Sequence, residues 1–363
     1  MALSTIQNNS MADTAVHGNR NLIINGAMNV AQRNTSVSNK GGTEGYVTLD
    51  RMRHGNGAAG SEGAGRFSSA QTAVSDLPGF LNCFHLDCTT ADTSIAAAEL
   101  LIIEQRLEGQ DLQRLKKGTS SAESVTVSFY MKTNKAFTFM CGLNDYDNNR
   151  VNVQQFTTTT SWTRHSLTFV GDTTGAFNDD NNHSLSVEFY LHAGSNYTGG
   201  TYTANTWQSR ASSDNMRAVG IGSFFDSTSN DVKLTGLQVE LGEQATPFEH
   251  RSFSDDLQRC QRYYVQLLKS GSTKELVING AQSGATNFNA FLPYAMRANP
   301  DITWPTSSGV RGEGTTVNIS SMAGVMDTDN YVHANATITS GLTANTPSFL
   351  YAFQAECNLD AEL

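Results

Sequence analysis

The sequence predicts an all-β protein: an antiparallel sandwich or jelly roll, then a short linking helix, then a second, smaller β-sandwich domain. Three observations predict it. Apolar and polar residues alternate with period two along Val125–Met131, which places Val125, Val127, Phe129 and Met131 on one face. Clusters of Gly, Asn and Asp, such as Asn144–Asn149, separate the alternating runs and supply turn conformations. Charged residues are only 16% of the chain, while Ser, Thr, Asn and Gly abound, a balance that suits short strands and frequent turns.

The elements follow in order. Residues 1–20 are polar and aperiodic and read as an extended N-terminal arm. The first domain occupies residues 21–250, with strands at Val125–Met131, Ala136–Leu143, Val151–Phe156, Trp162–Val170 and Ser184–Leu191. The clearest helix covers Phe253–Val265, within a linking segment 251–265. Ser254 is its candidate N-cap, and Asp255 and Asp256 favour the positive end of its dipole. Residues 266–363 form the second β domain, with strands at Leu276–Asn279, Phe288–Leu292, Val317–Ser320, Tyr331–Thr339 and Ser348–Glu356. Pro293 argues for an edge or a strand end where it stands.

Bulk properties exclude several function classes. A net charge of −10 disfavours wrapping nucleic acid, which needs clustered Lys and Arg; the one basic run, Arg114 with Lys116-Lys117, reads as a solvated turn. No stretch approaches the roughly 20 apolar residues of a membrane span, so membrane insertion is not expected. The first residues lack a signal-peptide pattern, which predicts a protein made and kept in a cytoplasm until it is released. The five cysteines, Cys83, Cys88, Cys141, Cys260 and Cys357, form no CxxC pair and read as buried free thiols.

Catalytic patterns are weak. Acids are present, but no local spacing fixes two of them opposite each other, and no enzyme activity is expected. Asp145 with Asp147, or Asp179 with Asp180, can be read as solvated turns or as a Ca²⁺ loop, although the 12-residue loop pattern is missing. No cofactor or metal site follows from the histidines; His165 and His183 read as ordinary strand or surface residues. Gly55–Gly60 lacks the Lys-Ser/Thr ending of a phosphate loop and reads as a flexible loop. Sugar binding asks for less: an exposed aromatic face and neighbouring polar groups. Tyr197, Tyr202 and Trp207, in a loop of small polar residues, and Tyr146 are the glycan-binding candidates, while Trp162 reads as a core residue. Asn330-Tyr331 and Trp304 are weaker candidates in the second domain.

A set of short motifs stands in one order: Asn21–Arg33, beginning Asn-Leu-Ile-Ile-Asn-Gly, Leu49-Asp-Arg51, Gln105-Arg-Leu-Glu-Gly109, Val127-Ser-Phe-Tyr-Met-Lys132, Ser161-Trp-Thr-Arg164, Gly236–Arg251 with its Ala245-Thr-Pro-Phe-Glu249 core, and Cys260-Gln-Arg-Tyr-Tyr264. This order resembles bacteriophage tail-fibre and related virion structural proteins; Met52 departs from it, standing where a Trp is usual. The resemblance implies a jelly roll like those of carbohydrate-binding modules. It also implies a strand at Leu101–Leu107 followed by a helical turn at Asp111–Leu115, where propensity alone would make Ile95–Leu107 a helix. The expected function is that of a tail-fibre or spike subunit that attaches to host-surface glycan as a homotrimer. It would be assembled in the bacterial cytoplasm, carried on the virion and joined to other virion proteins through the arm. Two other readings stand beside it: a capsid decoration or head-fibre protein of the same fold, and a glycan-depolymerising tailspike enzyme.

Overall fold

The computed structural model describes residues 18–41, 45–55, 63–210, 216–269, 275–284, 286–304, 309–312, 315–326, 331–339, 343, 347–353 and 356–363. Most of the N-terminal arm, residues 56–60 of the glycine-rich loop, and Asn330 lie outside them. The chain divides into two compact units, Met1–Phe253 and Ser254–Leu363.

Among the described residues, the first unit is two antiparallel sheets face to face. One has six strands, in the order β1 (Ser36–Lys40), β4 (Arg66–Ala73), β5 (Asn82–Thr90), β13 (Asp231–Leu241), β7 (Val125–Thr133) and β10 (Thr163–Phe169). The other has seven: β12 (Gln208–Ser209), β9 (Arg150–Thr157), β8 (Thr138–Asp145), β11 (His183–Ala193), β6 (Leu100–Glu108), β3 (Arg53–Gly55) and β2 (Gly45–Tyr46). Alternation decides which side chains fill the space between them. Val125, Val127, Phe129 and Met131 of β7 all point inward and are buried. Phe129 meets Phe189 of the opposite sheet edge-on, with ring centroids 4.7 Å apart. Leu100–Glu108 is a strand despite its helix-forming residues, because both its neighbours, β11 and β3, pair with it and its alternate side chains fill the core. Short 3₁₀ turns at Gly109–Asp111 and Gln113–Leu115 follow.

The two ends of this unit interlock. Asn21 accepts the N–H groups of Ile23 and Val239 through Oδ1, both at 3.0 Å, and its amide donates to the Leu237 carbonyl. Gly26 packs directly on β13: a Cβ there would sit 2.1 Å from the Leu237 carbonyl oxygen. Glu249 accepts the backbone N–H of Asn19, Arg20 and Asn21, and Arg251 donates to the carbonyls of Asn21 and Ile23. The opening and closing motifs of the sequence are therefore a single clasp.

In the second unit α2 (Phe253–Gln261) ends earlier than the sequence suggests, and Tyr264 begins β14 (Tyr264–Leu268). Ser254 lies inside the first turn of this helix rather than at its N-cap. The short α1 (Ser195–Thr198) belongs to the first unit. β14 pairs with β22 (Cys357–Asp360), which pairs with β17 (Asp301–Thr303). Six further strands close on themselves: β15 (Glu275–Gly284), β16 (Asn287–Ala295), β20 (Tyr331–Ile338), β19 (Thr315–Met326), β18 (Gly309–Gly312) and β21 (Pro347–Phe353). The two faces of the expected small sandwich thus become the inside and outside of a barrel. Phe288, Ala290, Leu292, Val332, Ala334 and Ala336 face in. Pro293 sits in β16 at a register shift, beyond the reach of β15, so its missing N–H breaks no ladder bond there.

Candidate functional site: the outer face of the seven-stranded sheet

Residues of β6, β8, β9 and β11 that point away from the core make two patches. One is apolar: Ile102, Met140, Val151, Val153 and Tyr190 are covered by Tyr197, Met216 and Ala218, with Tyr202 packed at the margin. The other is charged, and its centre is a pair of carboxylates. Antiparallel register sets Glu104 of β6 directly opposite Glu188 of β11, a placement that brings Cβ atoms to about 5 Å. Both side chains are 1% exposed. No local spacing in the sequence holds two acids opposite each other; register across 84 residues creates this pair.

The two acids have different surroundings. Glu104 forms ion pairs with Arg53 and Arg106 and accepts a hydrogen bond from the Ser186 hydroxyl at 3.1 Å. Glu188 is reached by phenols: Tyr190 donates at 2.5 Å and Tyr146 at 3.2 Å. Burial, and then the neighbouring Glu104 charge, push the Glu188 carboxyl above its ordinary range. Burial and the adjacent Glu188 charge raise the Tyr146 phenol as well. His183 lies 4.0 Å from the Tyr146 ring and within 2.7 Å of the Ser186 hydroxyl; burial and the surrounding arginines push it down to about 3, so it is neutral at physiological pH. The Arg210 guanidinium covers the Tyr146 ring at 4.2 Å. Asn144 donates to the Tyr190 hydroxyl, and its buried Oδ1 has no hydrogen-bond partner among the described residues.

The structure separates the four aromatic residues singled out in the sequence. Tyr146 belongs to the charged network. Tyr197 is buried, and Tyr202 accepts the backbone N–H of Gln155, so both serve the apolar patch. Trp207 lies elsewhere, packed against the main core with its indole N–H on the Val170 carbonyl. The cavity beside it holds about 20 Å³, room for a water rather than a pyranose. Trp162 is half-buried, bonded to Asp76, and not in the core. Trp304 packs at the margin of the barrel core.

Two sequence expectations are corrected beside Trp207. Lys117 is not a solvated turn residue, and Asp145 is not a solvated acid: they are 7% and 0% exposed. The Lys117 ammonium meets Asp145 at 2.6 Å, Asp172 at 3.2 Å and the carbonyls of Thr174 and Gly175 at 2.7 Å. The cation facing Asp145 is thus supplied by the chain itself, because the turn before β7 and the loop after β10 meet there. Asp147, by contrast, holds the Asn178 amide and backbone.

No family model matches the chain, and no curated protein matches it. Similar solved structures include the family 11 carbohydrate-binding module of a cellulosomal cellulase from Clostridium thermocellum, 11% identical, covering 58% of this chain and 97% of that one, with a TM-score of 0.28. An exo-β-agarase is 7% identical over 64% of this chain and 26% of its own, with a TM-score of 0.30. The enzymatically active domain of tailspike protein 4 from bacteriophage CBA120 is 8% identical over 61% of this chain, with a TM-score of 0.29, and this chain spans 21% of its length. These superpositions are loose and assign neither a ligand nor a site.

Proposed function

We propose that the chain is a virion adsorption protein, a tail-fibre or spike subunit, whose first unit holds a host-surface glycan on the outer face of the seven-stranded sheet. One observation carries the glycan reading: ionisable side chains are buried on a sheet face that apolar residues would cover at lower cost. Half of that face is already apolar; the other half gathers Glu104, Glu188, Arg106, Arg210 and Tyr146. The half-buried Arg106 and Arg210 guanidiniums donate to sugar hydroxyls, while the buried carboxylate of Glu104 anchors Arg106 and Tyr146, bonded to Glu188, anchors Arg210. The order of tail-fibre-like motifs supports the virion assignment, and with it a homotrimer attached through residues 1–20.

Adsorption to host cells tests the binding site. Arg210→Ala should abolish it while the melting temperature stays near wild type; undiminished adsorption by a folded variant overturns the assignment. Immunogold labelling of phage particles tests the location: gold at the tail supports an adsorption fibre, and gold over the head transfers the protein to capsid decoration.

One observation favours hydrolysis as a second reading. Glu188 is held toward its neutral form while Glu104 is ion-paired, the division of labour that acid–base cleavage of a glycosidic bond needs. Release of reducing ends from the bound glycan, lost in Glu188→Gln, would move the assignment from binding to cleavage.

A further inference from the structure

The outside of the barrel carries a second surface of a different kind. Along β16 the outward residues are Asn287, Asn289, Phe291, Pro293 and Ala295, and along β20 they are Tyr331, His333, Asn335 and Thr337. None is Lys, Arg, Asp or Glu, in a chain whose net charge is −10. Register sets Phe291 beside His333 and His333 beside Val325 of β19, so the three form a row across three strands. Phe291 is 50% exposed, Val325 42% and Tyr331 40%. The Phe291 ring lies 5.6 Å from Tyr331 and 5.5 Å from His333, centroid to centroid. One step along the same two strands, Asn289 faces Asn335.

We infer that this wall is a binding site for an uncharged saccharide, separate from the charged network of the first unit. The inference rests on the glycan reading above and names a further site within it. Rings held against one another, inclined by 48° and 63°, keep an apolar surface in water at little entropic cost, and such exposed patches mark contact sites. The paired amides supply both donors and acceptors, which is what vicinal hydroxyls require. Among the described residues neither strand carries an Asp, Glu, Lys or Arg, so the wall has no permanent charge to offset that of an anionic sugar. The chemistry therefore selects a neutral one.

The test uses the full-length chain and a panel of immobilised neutral oligosaccharides built from glucose, galactose, rhamnose and N-acetylglucosamine. Wild type should bind at least one of them. Phe291→Ala and Asn335→Ala should each weaken that binding about tenfold, the size of one lost aromatic or charge-free polar contact. Both side chains point outward, so melting temperatures should hold; should either variant misfold, the other still reports. Unchanged binding in both, with binding lost in Arg210→Ala, overturns this site and leaves the first-unit site standing. No binding by wild type to any of the panel ends the barrel assignment, while adsorption to host cells still judges the first-unit site. A fall in particle mass by light scattering in Phe291→Ala would make the wall a seam between copies of the chain and end the saccharide assignment.

Discussion

Glu249 accepts the backbone N–H of Asn21 at 2.8 Å across 228 residues of sequence. Burial by itself would raise this carboxyl, but the N–H groups of Asn19, Arg20 and Asn21 and the Arg251 charge outweigh burial and hold it below its ordinary range. The folded state thus binds the proton less well than the unfolded one. The stabilisation is present above the usual value of 4.5 and is lost as pH falls through the lower folded value. Glu249→Gln should cost about 2 kcal/mol at neutral pH and nearly nothing in acid, read by urea denaturation. Gly26→Ala should cost more, because its Cβ would meet the Leu237 carbonyl rather than a movable side chain.

Glu188 has the opposite sign. Its folded value is raised, so the folded state holds the proton more tightly, and stability falls as pH rises from the unfolded value of 4.5 through the folded one. Glu188→Gln removes that slope. The stability of the variant relative to wild type should increase as pH rises above 4.5. A difference that is flat with pH would mean that Glu188 is not raised.

Lys117→Met should cost about 3–5 kcal/mol, since it leaves the fully buried Asp145 carboxylate without its cation and the Thr174 and Gly175 carbonyls without their donor. Chemical denaturation reads the loss. A cost near zero would mean that the ammonium is not confined as described.

Trp207→Ala and Tyr202→Ala should lower the melting temperature. Each removes packing together with one hydrogen bond, to the Val170 carbonyl or from the Gln155 N–H, for about 2 kcal/mol apiece. Intact stability in either variant would return that residue to the list of free sugar-stacking rings.

All five cysteines are buried free thiols. Burial pushes Cys83 and Cys357 up to about 12 and Cys88 to about 11, so their thiolates are scarce at neutral pH. A thiol reagent should find almost no reactive group in the native protein and five in denaturant.

The chain alone determined what is recorded locally. Period-two alternation in Val125–Met131 specified which side chains enter the core, because each strand residue must point opposite to its neighbour. The buried thiols and the all-β class were legible in the same way. The strands Arg66–Ala73 and Asn82–Thr90 went unread, because small polar residues in one and adjacent buried residues in the other blur the alternation. The end of α2 was also missed: Tyr264 continues the helical spacing but is taken by pairing with Asp360, a partner no local pattern announces. What only the tertiary structure decided depends on register and strand order. Glu104 and Glu188 form a pair because β11 lies beside β6. Lys117 is buried because two distant loops meet over Asp145. Phe291, His333 and Val325 align because three barrel strands run side by side. Apart from His333 with Val325, which a hairpin brings together, these meetings close long stretches of chain, and the free energy that selects them comes from the whole core rather than from the residues that meet.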